Sequence, residues 1–239
     1  MKASTITVKG AQVPVELERR KGSRHLRLRL GHQNQLRVTL PWNCPERTAW
    51  AFVEDQREWI ERQLAKAPSA LELSAFLDRQ GWVSAGGRRC DVQLSRSGHS
   101  LDLGWQLVDG TGPLVLKWPA AAGEADLKRI LRSFAKKVLF ARLLDQATRL
   151  ELQAPSLTVR DQASRWGSCS SSGRISLNWR LVLLAPELQD YIILHELAHL
   201  SEMNHSRRFW ALLERYDPNR RAHEGALDAC SPAVMRVGR

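Results

Sequence analysis

Between residues 195 and 205 the chain reads HELAHLSEMNH. On a helix turning about 100 degrees per residue, His195 and His199 project about 40 degrees apart on one face, so both imidazoles could reach one ion. Zinc favours neutral imidazole nitrogens in tetrahedral geometry, and a site that leaves its fourth position to water can hydrolyse. Glu196 lies at the edge of that face, where it could take a proton from the water without being a ligand.

Two histidines on a buried helix are also ordinary packing residues, so the reading turns on a third ligand. Glu202, three residues beyond His199, would extend the site by a helical turn. His205 lies past Asn204, a residue able to end the helix through left-handed backbone or to cap the next one. We favour His205, because a third neutral nitrogen leaves zinc more electrophilic than a carboxylate does. Glu202 then pairs with an arginine or holds a histidine's other ring nitrogen. The helix after the break, SRRFWALLERY, buries Phe209, Leu213 and Trp210, stops at Pro218 and braces the turn. Candidates to steady a developing oxyanion are Tyr191, one turn before His195, and His223, Tyr216, Arg207 and Arg208 downstream. Tyr191 also reads as a core aromatic.

The elements that must position these residues show in the periodicity. Residues 186 to 203 open with Pro186 and are apolar almost all round, as in a helix buried between a sheet and other helices. Before it, SLTVRD and GRISLNWR read as an antiparallel hairpin. In the second strand, Ile175, Ser176, Leu177 and Asn178 would form an edge beside the cleft, where an extended peptide could add on. Trp166 and Cys169 read as packing residues, with a Cys169 thiolate as the alternative regulatory ligand. Residues 124 to 150 predict a long amphipathic helix.

Farther upstream, GSRHLRLRLGHQNQLRVTL alternates leucine with arginine and predicts a hairpin with one dry and one basic face. A helix over about 45 to 65, with Pro45 at its first position, packs on that hairpin. Seven glycines between 81 and 112 break the text into short strands and turns. We place a boundary near 120, giving an N-terminal β-rich region (1–120) and a second domain (121–239).

With 239 residues, 43% hydrophobic, the chain can build a substantial core. It has no apolar run of signal-peptide or membrane-spanning length, and its four scattered cysteines give no disulfide framework. The expectation is a cytoplasmic protein with reduced thiols and no membrane partner. Its net charge of +11 would attract phosphate backbones, which makes nucleic acid a possible partner. Oligomeric state is not legible.

RWGSCSSSGRISLNWRLVLLAP followed by YIILHELAHLSEMNHSRRFW resembles the YgjP-like metallopeptidase family, relatives of the SprT-like and wider zincin proteins. The likeness is specific over 157–217, extends to the hairpin and helix at 19–65, and is weaker over 66–120. It implies an α+β fold, with a zincin-like core that sets the HExxH helix beside a small antiparallel sheet, plus the N-terminal hairpin and helix. It also implies one zinc held by His195, His199 and His205, Glu196 as general base, and a polypeptide substrate. The histidine spacing matches the metzincins too, but Glu202 replaces their glycine and no methionine turn follows. Competing readings are a nucleic-acid-associated protein with a purely structural zinc, and a zinc amidohydrolase of non-protein substrates.

Overall fold

The computed structural model describes residues 4–31, 34–66, 71–96, 103–110, 112–119 and 121–239. The chain divides into two compact units, Met1–Ala70 and Leu71–Gly238. In the first, β1 (Ser4–Val8) and β2 (Ala11–Arg20) form one antiparallel hairpin, and β3 (Arg27–Leu30) and β4 (Leu36–Pro41) form another. Lys9 and Gly10 both take positive φ, 47° and 82°, the conformation a tight turn needs to match the twist of its strands. Parallel pairing of β2 with β4 completes a sheet of order β1-β2-β4-β3.

The expected alternation is present: Leu36, Val38 and Leu40 are buried while Arg27, Arg29 and Arg37 are exposed. The dry face packs with Ala49, Val53 and Ile60 of α1 (Glu46–Asp55) and α2 (Arg57–Lys66). One helix was expected here, with Pro45 inside it. Pro45 instead caps α1, which closes where the Gln56 amide is shared between the carbonyls of Phe52 and Val53 at 3.2 Å.

The second unit opens with α3 (Leu73–Gln80), which the sequence reading missed; it buries Leu73 and Leu77 and stops at Gly81, φ 73°. β5 (Trp82–Ala85), β6 (Arg88–Ser95), β7 (Gly104–Leu107) and β8 (Leu114–Lys117) form a sheet of order β5-β6-β8-β7. The long helix α4 (Glu124–Arg149) shares one core with it: the Trp105 ring meets Phe134 edge-on at 5.4 Å. Burial of Phe134 alone contributes roughly 2–3 kcal/mol. That shared core is why the chain divides after Ala70 and not near residue 120.

A third sheet holds β9 (Leu157–Arg160), β10 (Gly167–Cys169) and β11 (Ile175–Asn178) in the order β10-β11-β9. Two expectations fail here. β9 and β11 run parallel, because residues 161–174 carry the chain back across the sheet and leave β10 antiparallel on the far side. β11 is consequently the central strand and offers no free edge; β10 and β9 are the edges. Helices α5 (Pro186–Ala198), α6 (Arg207–Tyr216) and α7 (Arg220–Val234) complete an α+β fold with seven α-helices among the described residues. No helix among them is long and apolar enough to cross a membrane.

Candidate metal centre

α5 is built to be enclosed. Pro186 sits in its first turn, and Leu188, Ile192, Ile193, Leu194 and Leu197 are all buried. The helix ends at His199, whose backbone stays right-handed (φ −65°, ψ −17°). The break expected at Asn204 therefore comes earlier, and Asn204 is not among the positive-φ residues. Ser206, not Asn204, caps α6, its Oγ accepting from the Phe209 amide at 3.4 Å.

The intervening turn folds His205 back onto α5. Its Nε2 lies 3.0 Å from Nε2 of His195, and one ring nitrogen from each of His195, His199 and His205 lies within 4.8 Å of the other two. Nitrogens bound about 2 Å from a common tetrahedral ion stand about 3.3 Å apart, so the three residues fit a single metal. Phe209, fully buried, stacks on His199 with centroids 4.5 Å apart and meets His195 and His205 edge-on. Trp210 lies against His205, centroids 5.6 Å apart. These two rings give the turn an apolar backing.

His199 Nδ1 lies 3.0 Å from the backbone carbonyl oxygen of Glu202. A carbonyl oxygen only accepts, so Nδ1 carries the proton and Nε2 keeps its lone pair. Glu202 thus acts through its main chain; its carboxylate, weighed as a ligand, is outside the convergent group, as is Cys169. Burial, with His199 and His205 adding to it, pushes the His195 imidazole down to about 4, and burial lowers His199 too. Both rings are neutral at neutral pH, the form a metal requires.

Glu196 directly follows His195 and is only 5% exposed. Burial pushes its carboxyl up to about 8, against the opposing charge of Arg165. Oε2 is fully buried and meets no hydrogen-bond partner, an arrangement that calls for a ligand, a water or a catalytic duty. The carboxyl lies against the backbone of edge strand β10: a Cβ built on Gly167 would stand 2.7 Å from Glu196 Cγ.

Among the four residues expected to bind substrate along an edge, Ile175, Leu177 and Asn178 are buried in the central strand. Asn178 instead holds the approach to β10. Its side-chain amide donates to the carbonyls of Gln162 at 2.9 Å and Arg165 at 3.1 Å. Ser176 pairs directly with Ser168 of β10. The strand Gly167–Cys169 was not recognised, since three small residues carry no periodicity; the glycine in RWGSC was the available sign.

Tyr191 lies between two histidines, its ring 6.2 Å from His195 and 6.3 Å from His223. Burial pushes its hydroxyl up to about 12. His223 is held by Asp217, Nδ1 to Oδ2 at 2.7 Å, a partner that the sequence pattern does not mark. Arg207 and Arg208 are exposed at the start of α6.

A family model described as the YgjP-like metallopeptidase domain matches residues 24–229. Among solved structures the chain is similar to the crystal structure of the metallopeptidase zymogen abylysin of Pyrococcus abyssi. Identity there is 28%, over 40% of this chain and 94% of that one, with a TM-score of 0.35. No curated protein sequence matches.

Proposed function

The chain belongs to the YgjP-like metallopeptidase domain family, and from that membership we propose that it hydrolyses peptide bonds at a zincin-like centre. In this reading His195, His199 and His205 hold one zinc ion and Glu196 is the general base. The observation that carries it is the convergence of three imidazoles beside a buried, unpartnered carboxyl. When bound, the ion supplies Lewis acidity toward a water and a scissile carbonyl.

The protein's own residues supply the remainder. Glu196, a stronger base for its burial once it is ionised, takes a proton from the attacking water and returns it to the departing amine. The free edge of β10 aligns an extended polypeptide by strand addition, with the Gly167 backbone directly beside Glu196. Tyr191 retains its proton across the neutral range and serves in this reading as donor to the oxyanion.

The test is purification without chelator in the presence of zinc, followed by metal analysis and a casein hydrolysis assay. One zinc per chain, with hydrolysis abolished and zinc retained in Glu196→Gln, supports the reading. Absence of bound metal overturns it.

A further inference from the structure

We propose that the outer face of the first unit's sheet binds single-stranded nucleic acid along a groove floored by Thr39. Strand register creates the groove. On the central strand β4, short Thr39 stands opposite Glu18 of β2 on one side and Arg27 of β3 on the other. Longer side chains thus rise on both flanks of a small one. The depression measures about 500 Å³, and Arg20, Lys21, Arg24, Arg27 and Arg29 line it against the single acid Glu18.

These cations are available. Arg37, one register row away, is paired with Glu16 at 2.8 Å. Among the described residues, no carboxylate lies within ion-pair distance of Arg20, Arg24, Arg27 or Arg29, and all four are exposed. Arg27 and Arg29 alternate along one strand face about 6.6 Å apart, a spacing that successive phosphates of an extended strand can follow. Unpaired cations gathered at a concave surface release condensed counterions when a polyanion binds, which supplies the affinity.

Trp42 selects the kind of polyanion. It directly follows β4 and is 56% exposed, with Lys21 Nζ 5.5 Å from its ring centroid. An exposed indole at the end of a basic groove gives an unpaired base a face to stack on. An acidic peptide would use the charges but not the ring; a duplex would present no unstacked base.

The experiment uses the intact chain and a fluorescein-labelled oligothymidylate of about 20 nucleotides, followed by anisotropy. Binding is expected with a log–log salt slope of about −3, as for about four phosphates neutralised on a single strand. Arg27→Glu with Arg29→Glu weakens binding at least tenfold. Trp42→Ala weakens it severalfold, and Trp42→Phe restores most of the loss. Lys136→Glu with Lys137→Glu, the same change of charge on α4, leaves binding within about twofold. Equal loss in both double variants, preference for duplex, or stronger competition by polyglutamate than by unlabelled oligothymidylate overturns the proposal.

Discussion

His199 is oriented by the chain that follows it: its Nδ1 donates to the backbone carbonyl of Glu202, 3.0 Å away. The carboxylate of Glu202 takes no part, so the two candidate third ligands separate cleanly. Glu202→Ala preserves the carbonyl and is expected to change zinc affinity by less than about threefold, whereas a lost outer-shell hydrogen bond costs about 10–100-fold. His205→Ala removes a donor atom and should weaken zinc binding beyond about 100-fold. Competition against a chromophoric chelator measures both, and the reverse order would reassign the ligand.

Gly167 has room for no side chain. A Cβ there would meet the Glu196 side chain 2.7 Å from Cγ and 2.8 Å from Cδ, and that carboxyl is packed and buried. Gly167→Ala must therefore displace Glu196 or the edge strand, while the histidines lie elsewhere on α5 and in the following turn. The expected result is a fall in kcat of about 100-fold or more, a misplacement effect, with zinc affinity within about threefold of the parent chain. Loss of metal together with activity would show that the strand supports the whole centre and not the base alone.

Local periodicity explains which parts were legible. The i,i+4 spacing of His195 and His199, the alternation through Leu36, Val38 and Leu40, and the amphipathic run of α4 are each written within one element. The sheet order is not: β10 holds only Gly167, Ser168 and Cys169, and its place at the edge depends on a reversal between residues 161 and 174. Ile175 and Leu177 signalled a strand correctly, but a continuous apolar face suits a central strand as well as an edge. His205 is chosen because a helix break can be read near it, and the helix in fact ends at His199. The links from His199 to Glu202 and from His223 to Asp217 join residues through a carbonyl and a turn, which side-chain spacing does not encode.

The C-terminal end of the second unit is fastened by charge. Fully buried Arg180 donates to Asp161 at 2.6 Å and to the Val237 carbonyl at 2.7 Å, while Lys128 reaches Asp161 at 3.0 Å and the Gly238 carbonyl at 2.9 Å. Burial alone would raise the Asp161 carboxyl, but the bonds and charges of Arg180 and Lys128 outweigh it and hold the group far below the carboxylate range. A depressed folded-state pKa gives stability that is complete above the unfolded value of about 4 and is lost as pH falls toward the folded one. Asp161→Asn should lower the unfolding free energy by about 3 kcal/mol at pH 7, because buried Arg180 loses its counter-charge. Urea titrations at pH 7 and pH 3 should show this gap narrowing in acid; an equal gap at both would assign the loss to packing.

Tyr191 meets both His195 and His223, and the two candidate donors differ. A buried phenol pushed up to about 12 carries its proton throughout the neutral range. With Nδ1 of His223 on Asp217, the ring can donate from Nε2 only when doubly protonated. If Tyr191 holds the oxyanion, Tyr191→Phe lowers kcat by about 100-fold, the cost of one such donor. KM and zinc content should be unchanged, because the ring and its packing against His195 remain. His223→Gln should lower kcat less, and without introducing a new pH dependence. A Tyr191→Phe enzyme with undiminished kcat would remove Tyr191 from the mechanism, and a larger loss in His223→Gln than in Tyr191→Phe would put His223 in its place.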